Sequence, residues 1–243
     1  MDRSKKLANE GVGKLLFEFS IPAIVGMLVN SLYIIIDRMF IGRVVGAMAI
    51  SGVSLTFPIG IIIMGFGMLV GIGAASRISI KLGQHKKDEA EKILGNAFTL
   101  LIIVSLLVTF FGMIFMDPML RAFGASSNTI VYAKEFITII LAGAVLQNLG
   151  FGLNNIIRSE GNPKKAMTTM LIGCILNIVL DFIFIYIFNF GIKGAATATV
   201  ISQAVNTIWV ISYFRGKNSL LKLKAENFKL EKEVVISIFA IGM

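Results

Sequence analysis

Two carboxylates set inside long apolar runs, Asp37 and Asp181, are the residues of this sequence best placed to do chemistry. Asp181 stands between IVL and FIFIYIF, and Asp37 follows LYIII. A carboxylate moved from water into such surroundings takes up a proton near neutral pH, because its bare charge is poorly solvated there. It can instead bind a hard cation such as Na⁺, which prefers oxygen donors as Ca²⁺ and Mg²⁺ do. Other oxygens fall in register with the pair. Asn177 precedes Asp181 by four residues and shares its helical face, and Asn30 precedes Asp37 by seven. Thr199, Gln203 and Asn206 repeat at helical spacing, as do Gln147, Asn154 and Arg158. Polar groups in the middle of membrane helices are costly and default to function, although a single Asn, Gln or Thr also serves to join neighbouring helices. Four such stripes predict a polar cavity inside a helical bundle. For Asp37, next to Arg38 and near a helix end, an interfacial charge reaching water stays open as the plainer alternative.

The elements that must position these residues are membrane helices. Of the 243 residues, 56% are hydrophobic and 15% charged, and the mean hydropathy is +0.84. A soluble domain of this size cannot cover its surface with so little polar material. The apolar residues come in blocks of about 20 or more, the length needed to cross the hydrocarbon core. Six spans are predicted, over 15–41, 47–80, 93–116, 129–157, 166–190 and 195–214. Pro22 is expected to bend the first. Glycines 60, 65, 67, 71 and 73 of the second are expected to admit close neighbours. Gly161 and Pro163 break the chain between the fourth and fifth. A basic, amphipathic linker is predicted over 215–233, and an apolar run over 234–243 is too short to cross. The domain expectation is therefore a six-helix lobe at 1–214, a linker, and the start of a seventh helix in a longer protein.

The net charge of +9 does not point to nucleic acid, because its distribution follows the loops. Of 23 Lys and Arg, 18 lie on segments that would share one side with the N-terminus; Arg38, Arg43, Arg121, Lys134 and Lys193 lie opposite. Basic loops stay in the cytoplasm, so the N-terminus is expected inside and the chain in the cell membrane. Arg3, Lys5 and Lys6 precede an apolar run with no small-residue cleavage site, which argues for an uncleaved first span rather than a leader. The lone Cys174 excludes an intrachain disulfide and a thiolate metal site. The one histidine, His85, falls in a loop. GFGMLVG lies within a single apolar helix rather than in a strand-to-helix turn, so it is no phosphate loop.

Several stretches, taken together and in order, resemble the multidrug and toxic compound extrusion (MATE) family: SIPAIVGMLVNSLYIIIDRMFIG, GFGMLVGIGAASRISIKLG, IIRSEGNPKKAM, NIVLDFIFI and GIKGAATATVISQ. The resemblance implies an all-α membrane protein in which a six-transmembrane-helix bundle forms one of two lobes facing each other across a cavity. It implies that Asp37 and Asp181 bind the coupling ion, as H⁺ or Na⁺, with Asn177 and Thr199 as companions and no other cofactor. The metal ligands would be Asp37 and Asp181 if Na⁺ is the ion. Pro22 would be the bend of the first helix. Asn30, Gln147, Asn154 and Gln203 would line the substrate cavity. The partners implied are the bilayer, a small molecule and the missing C-terminal lobe.

The expected activity is transport rather than catalysis: export of mostly apolar, often cationic compounds against an inward flow of H⁺ or Na⁺. One alternative is a flippase for lipid-linked saccharides, which would need a more basic cavity than Arg158 and Arg77 provide. The remote alternative is an intramembrane aspartyl protease, which also uses two aspartates on neighbouring helices. Its usual Tyr-Asp and Gly-x-Gly-Asp contexts are Ile-Asp and Leu-Asp here.

Overall fold

The computed structural model describes residues 11–217 and 219–243, so the basic N-terminal residues Arg3, Lys5 and Lys6 lie outside the described residues. It is mostly helical, with no strand among the described residues. In chain order the helices are α1 (Val12–Val44), α2 (Ala47–Leu55), α3 (Phe57–Gly83), α4 (Lys87–Ile114), α5 (Met116–Ala122), α6 (Ile130–Ala142), α7 (Ala144–Ser159), α8 (Pro163–Asp181), α9 (Gly191–Arg215) and α10 (Lys232–Gly242). A π-helical turn, Phe182–Ile187, continues α8, and a 3₁₀ turn, Ala225–Phe228, precedes α10. Among the described residues five helical spans are long and apolar enough to cross a membrane, and six if α6 and α7 count as one. Large side chains such as Phe17, Met27, Leu106, Phe110 and Ile208 stand exposed, which lipid rather than water accommodates.

Three spans depart from the simple rods expected of them. The second breaks at Thr56, just before Pro58, whose missing N–H cannot bond the carbonyl of Ser54. The Thr56 hydroxyl donates instead to Val53 O at 2.7 Å. The fourth bends by 56° between α6 and α7. At the bend a Cβ on Gly143 would collide with Val200 of α9. The fifth loosens into the π turn immediately after Asp181, where Phe188 N donates to Ile183 O at 3.0 Å. Such π segments insert a residue into the ladder and recur at functional sites. Pro22, by contrast, lies buried inside α1, which continues unbroken to Val44.

Packing forms two apolar clusters with a polar layer between them. One, at the basic end of the bundle, joins Val70, Ile78, Leu94, Leu153, Ile157, Phe214, Leu221 and Ile238. The other, at the opposite end, joins Ile41, Val53, Ile63, Ile137, Ile185 and Ile192. The glycines of α3 do not act as one set. A side chain at Gly67 would strike Asn148, at Gly71 Gly152, and at Gly73 the backbone of Ile238, whereas Gly60 and Gly65 meet nothing.

Within the linker expected over 215–233, residues 219–231 take up a defined course. They form a largely extended belt tied down by buried polar side chains. Glu160 accepts from Ser219 Oγ at 2.6 Å and Leu221 N at 3.1 Å. Glu91 accepts from Lys222 N at 3.1 Å and pairs with Lys224 Nζ at 2.7 Å. Asn96 accepts from Glu231 N at 2.8 Å and donates to Asn227 O and Lys229 O. The belt's backbone groups thus find partners that a helix would have supplied internally. Beyond it α10 lies along α3, with Gly242 against Leu69.

Candidate functional site

The polar layer is assembled by α1, α7, α8 and α9. Two adjoining spaces run through it. The inner space, about 70 Å³, is lined by Tyr33 of α1, Gln147 and Asn154 of α7, Met170, Cys174 and Asn177 of α8, and Thr199, Gln203 and Asn206 of α9. That volume admits an ion or a few waters but no drug. The outer space, about 300 Å³, contains Asp37, Arg38 and Thr56 among Phe57, Met64, Phe136 and Phe151. Tyr33, Gln147, Phe151, Thr199 and Gln203 line both, so Thr199 stands at the junction.

Asp181 is fully buried one turn beyond Asn177, and lies within electrostatic reach of Asp37. Asp37 and Asn177 are 5% and 3% exposed. Asn177 Nδ2 donates to Thr199 Oγ1 at 3.4 Å, and Gln203 Nε2 to Gln147 Oε1 at 3.4 Å. Six oxygens here are buried without a hydrogen-bond partner among the described residues: Asp37 Oδ1, Asn177 Oδ1, both Oδ of Asp181, Gln203 Oε1 and Asn206 Oδ1. Each such group costs about 1–3 kcal/mol if nothing answers it. Such a concentration of unanswered acceptors is an environment that suits a proton or a cation. No group of three or more His, Cys, Asp or Glu that could hold a multivalent metal occurs among the described residues.

The residues singled out in the sequence divide accordingly. Asn177, Thr199, Gln147, Asn154 and Gln203 meet at the inner space, and Asp37 faces the outer one. Asp181 borders neither space directly and joins the group through burial beside Asn177. Asn154 also has a packing duty, donating to Ala166 O at 3.0 Å. Asn30 lies in α1, but its side chain is outside the described residues.

Sequence inspection missed Tyr33, Met170 and Arg38. Tyr33 was detectable, since it sits four residues before Asp37 on the same face. Met170 shares the face of Cys174, Asn177 and Asp181, but an apolar side chain in an apolar helix gives no signal. Arg38, grouped above with the outer charges, is folded inward: Nη1 is buried without a partner and the guanidinium lies 5.8 Å from the Phe136 ring centre.

Known proteins share this fold and family. The MatE family model matches residues 22–183, from Pro22 at the buried part of α1 to the π turn after Asp181. The chain belongs to this family, the MATE family. Multidrug export protein MepA of Staphylococcus saprophyticus is 31% identical over 96% of the chain and 52% of its own length. MepA of Staphylococcus aureus is 32% identical over 96% of the chain and 51% of its own length. A MATE crystal structure in the bent conformation superposes with a TM-score of 0.91 at 29% identity, covering 98% of this chain and 53% of that one. The chain thus spans about half the length of the relatives it matches, and its fold is that of one MATE lobe with the helix that follows it.

Proposed function

We propose that this MATE lobe is the ion-coupling half of an exporter, in which H⁺ or Na⁺ bound at Asp37 and Asp181 drives release of a mostly apolar, often cationic compound. The observation that carries the proposal is Asp181: a fully buried carboxylate whose two oxygens have no donor among the described residues, beside Asn177 and in reach of Asp37. A bare carboxylate is not tolerated in such a place, so a proton or a metal cation must answer it during the cycle. Binding there changes the charge at the junction of α1 and α8, the packed pair that also walls the cavity. The aromatic and Met lining of the outer space supplies a surface for an apolar substrate.

The proposal includes a cell-membrane location with the N-terminus and the basic loops in the cytoplasm, for which the charge asymmetry speaks. It also includes a second lobe as working partner, since alternating access needs two halves that rock against each other. The test is efflux by the two-lobe protein in proteoliposomes under separately imposed proton and sodium gradients, with Asp181→Asn as the variant. Loss of gradient-driven efflux at equal protein level is expected. Undiminished efflux would overturn the assignment.

A further inference from the structure

At the basic end of the bundle a second groove, of about 460 Å³, runs between α3 and α7 under the start of α1. Its lining changes character along its length. Ile72, Ala75 and Phe19 form the apolar part, while Ser76, Ser79, Asn155 and Arg158 gather toward the ends of α3 and α7. Arg158 has no carboxylate partner among the described residues. Among the described residues its Nη2 hydrogen-bonds to the Met170 thioether, at 3.1 Å, and sulfur is a weak acceptor. The acid nearest in sequence, Glu160, is committed to the belt through Ser219 and Leu221. The hydroxyls of Ser76 and Ser79 lie one turn apart on α3 and face the same groove.

A cation with unused donors at the membrane boundary, two hydroxyls beside it and an apolar trough leading toward the midplane fit one amphiphile. We propose that this groove binds an anionic phospholipid of the cytoplasmic leaflet, its phosphate held by Arg158 and by the hydroxyls of Ser76 and Ser79, its chain along Phe19, Ile72 and Ala75. Guanidinium suits phosphate because its planar fork offers paired, charge-assisted hydrogen bonds. The leaflet assignment rests on the cytoplasmic orientation proposed above; the binding itself does not. The site is separate from Asp37 and Asp181, so it serves to seat the lobe in an acidic bilayer, not to carry the coupling ion.

The test is native mass spectrometry of the protein released from nanodiscs that contain equal phosphatidylglycerol and phosphatidylcholine. Wild type is expected to retain phosphatidylglycerol in about tenfold excess, the scale of a charge-assisted contact. Arg158→Gln should abolish the preference, Arg158→Lys should keep part of it, and the Ser76→Ala/Ser79→Ala pair should weaken it without touching the cation. The Ser pair keeps the test decisive if Arg158→Gln fails to fold. Equal retention of both lipids by wild type, or a preference indifferent to all these changes, overturns the proposal. In a parallel arm inorganic phosphate is added in phosphatidylcholine nanodiscs. Thermal stabilisation by phosphate that Arg158→Gln removes, with no lipid preference, would identify a free-anion site instead and overturn the lipid assignment. Lipid retention is read without transport, so its failure is distinct from failure of the antiport proposal.

Discussion

Asn177 donates its amide hydrogen to the hydroxyl of Thr199 across the α8–α9 contact, and this bond fixes which way the amide faces. With Nδ2 committed to Thr199, Asn177 Oδ1 is left buried and without a partner, one turn from Asp181. The hydroxyl thereby helps to aim an oxygen as well as offering its own. Thr199→Val keeps the side-chain shape and removes both effects. Apparent affinity for the driving ion is expected to fall about tenfold, from the loss of one hydrogen bond to a charged group. The concentration of ion giving half-maximal efflux measures it, and an unchanged value would reduce Thr199 to packing.

Asp37 and Asp181 lie in reach of one another, so their substitutions should not act independently. Residues that share one network show large coupling energies in double-mutant cycles. Asp37→Asn and Asp181→Asn are each expected to abolish gradient-driven efflux, and the double variant to be no worse than either alone. Two separate ion sites would instead leave residual ion dependence in each single variant, readable as a lower number of ions moved per substrate.

The fold was open to sequence reasoning where physics is local. Span lengths follow from bilayer thickness, and the faces of Asn177 with Asp181 and of Thr199 with Gln203 follow from the helical repeat. What escaped depended on partners distant in sequence. Nothing local marks Gly143 as the point where Val200 presses into a bent span. Nor does the polar run around 216–231 announce that Glu91, Asn96 and Glu160 wait to satisfy its backbone. Those three belong to α4 and to the end of α7, and they are among the most buried polar residues of the chain, at 2%, 1% and 1% exposed. On a helical wheel they look like ordinary polar residues of the interface. Arg38 escaped for a different reason: a charge near a helix end reads as surface, yet the guanidinium shares the outer space with Asp37 and lies against the Phe136 ring.

The belt gives α10 a fixed relation to the lobe. Asn96 bonds the belt at three backbone positions, and a side chain at Gly95 would meet Asn227. Asn96→Ala removes three hydrogen bonds to part-buried backbone groups of the belt, a loss of about 1–2 kcal/mol. The thermal midpoint in detergent should drop, and protease cleavage within 216–231 should become fast. Gly73→Val attacks the same unit at its other end, since Ile238 leaves no room for a Cβ. It should release α10 from α3 without exposing the belt. Cysteine cross-linking between the two helices would separate the outcomes, and equal protease resistance in Asn96→Ala would show the belt to be held by its apolar contacts alone.

Glu160 sets the pH behaviour of this anchor. Burial pushes its carboxyl above the ordinary glutamate value, even though Ser219, Tyr213 and Leu221 all donate to it and so favour the anion. Desolvation outweighs the donors. The folded chain therefore holds this proton more tightly than the unfolded one. The associated stability is present in full below the unfolded value and is lost as pH rises through the folded value. Wild-type thermal stability in detergent should decline across that window. Glu160→Gln keeps an acceptor for Leu221 N–H but cannot ionise, so its curve should be flatter, with the two proteins diverging toward higher pH. A wild-type stability that instead rises with pH through the carboxylate range would mean that the donors prevail over burial, and that the belt is held by the anion.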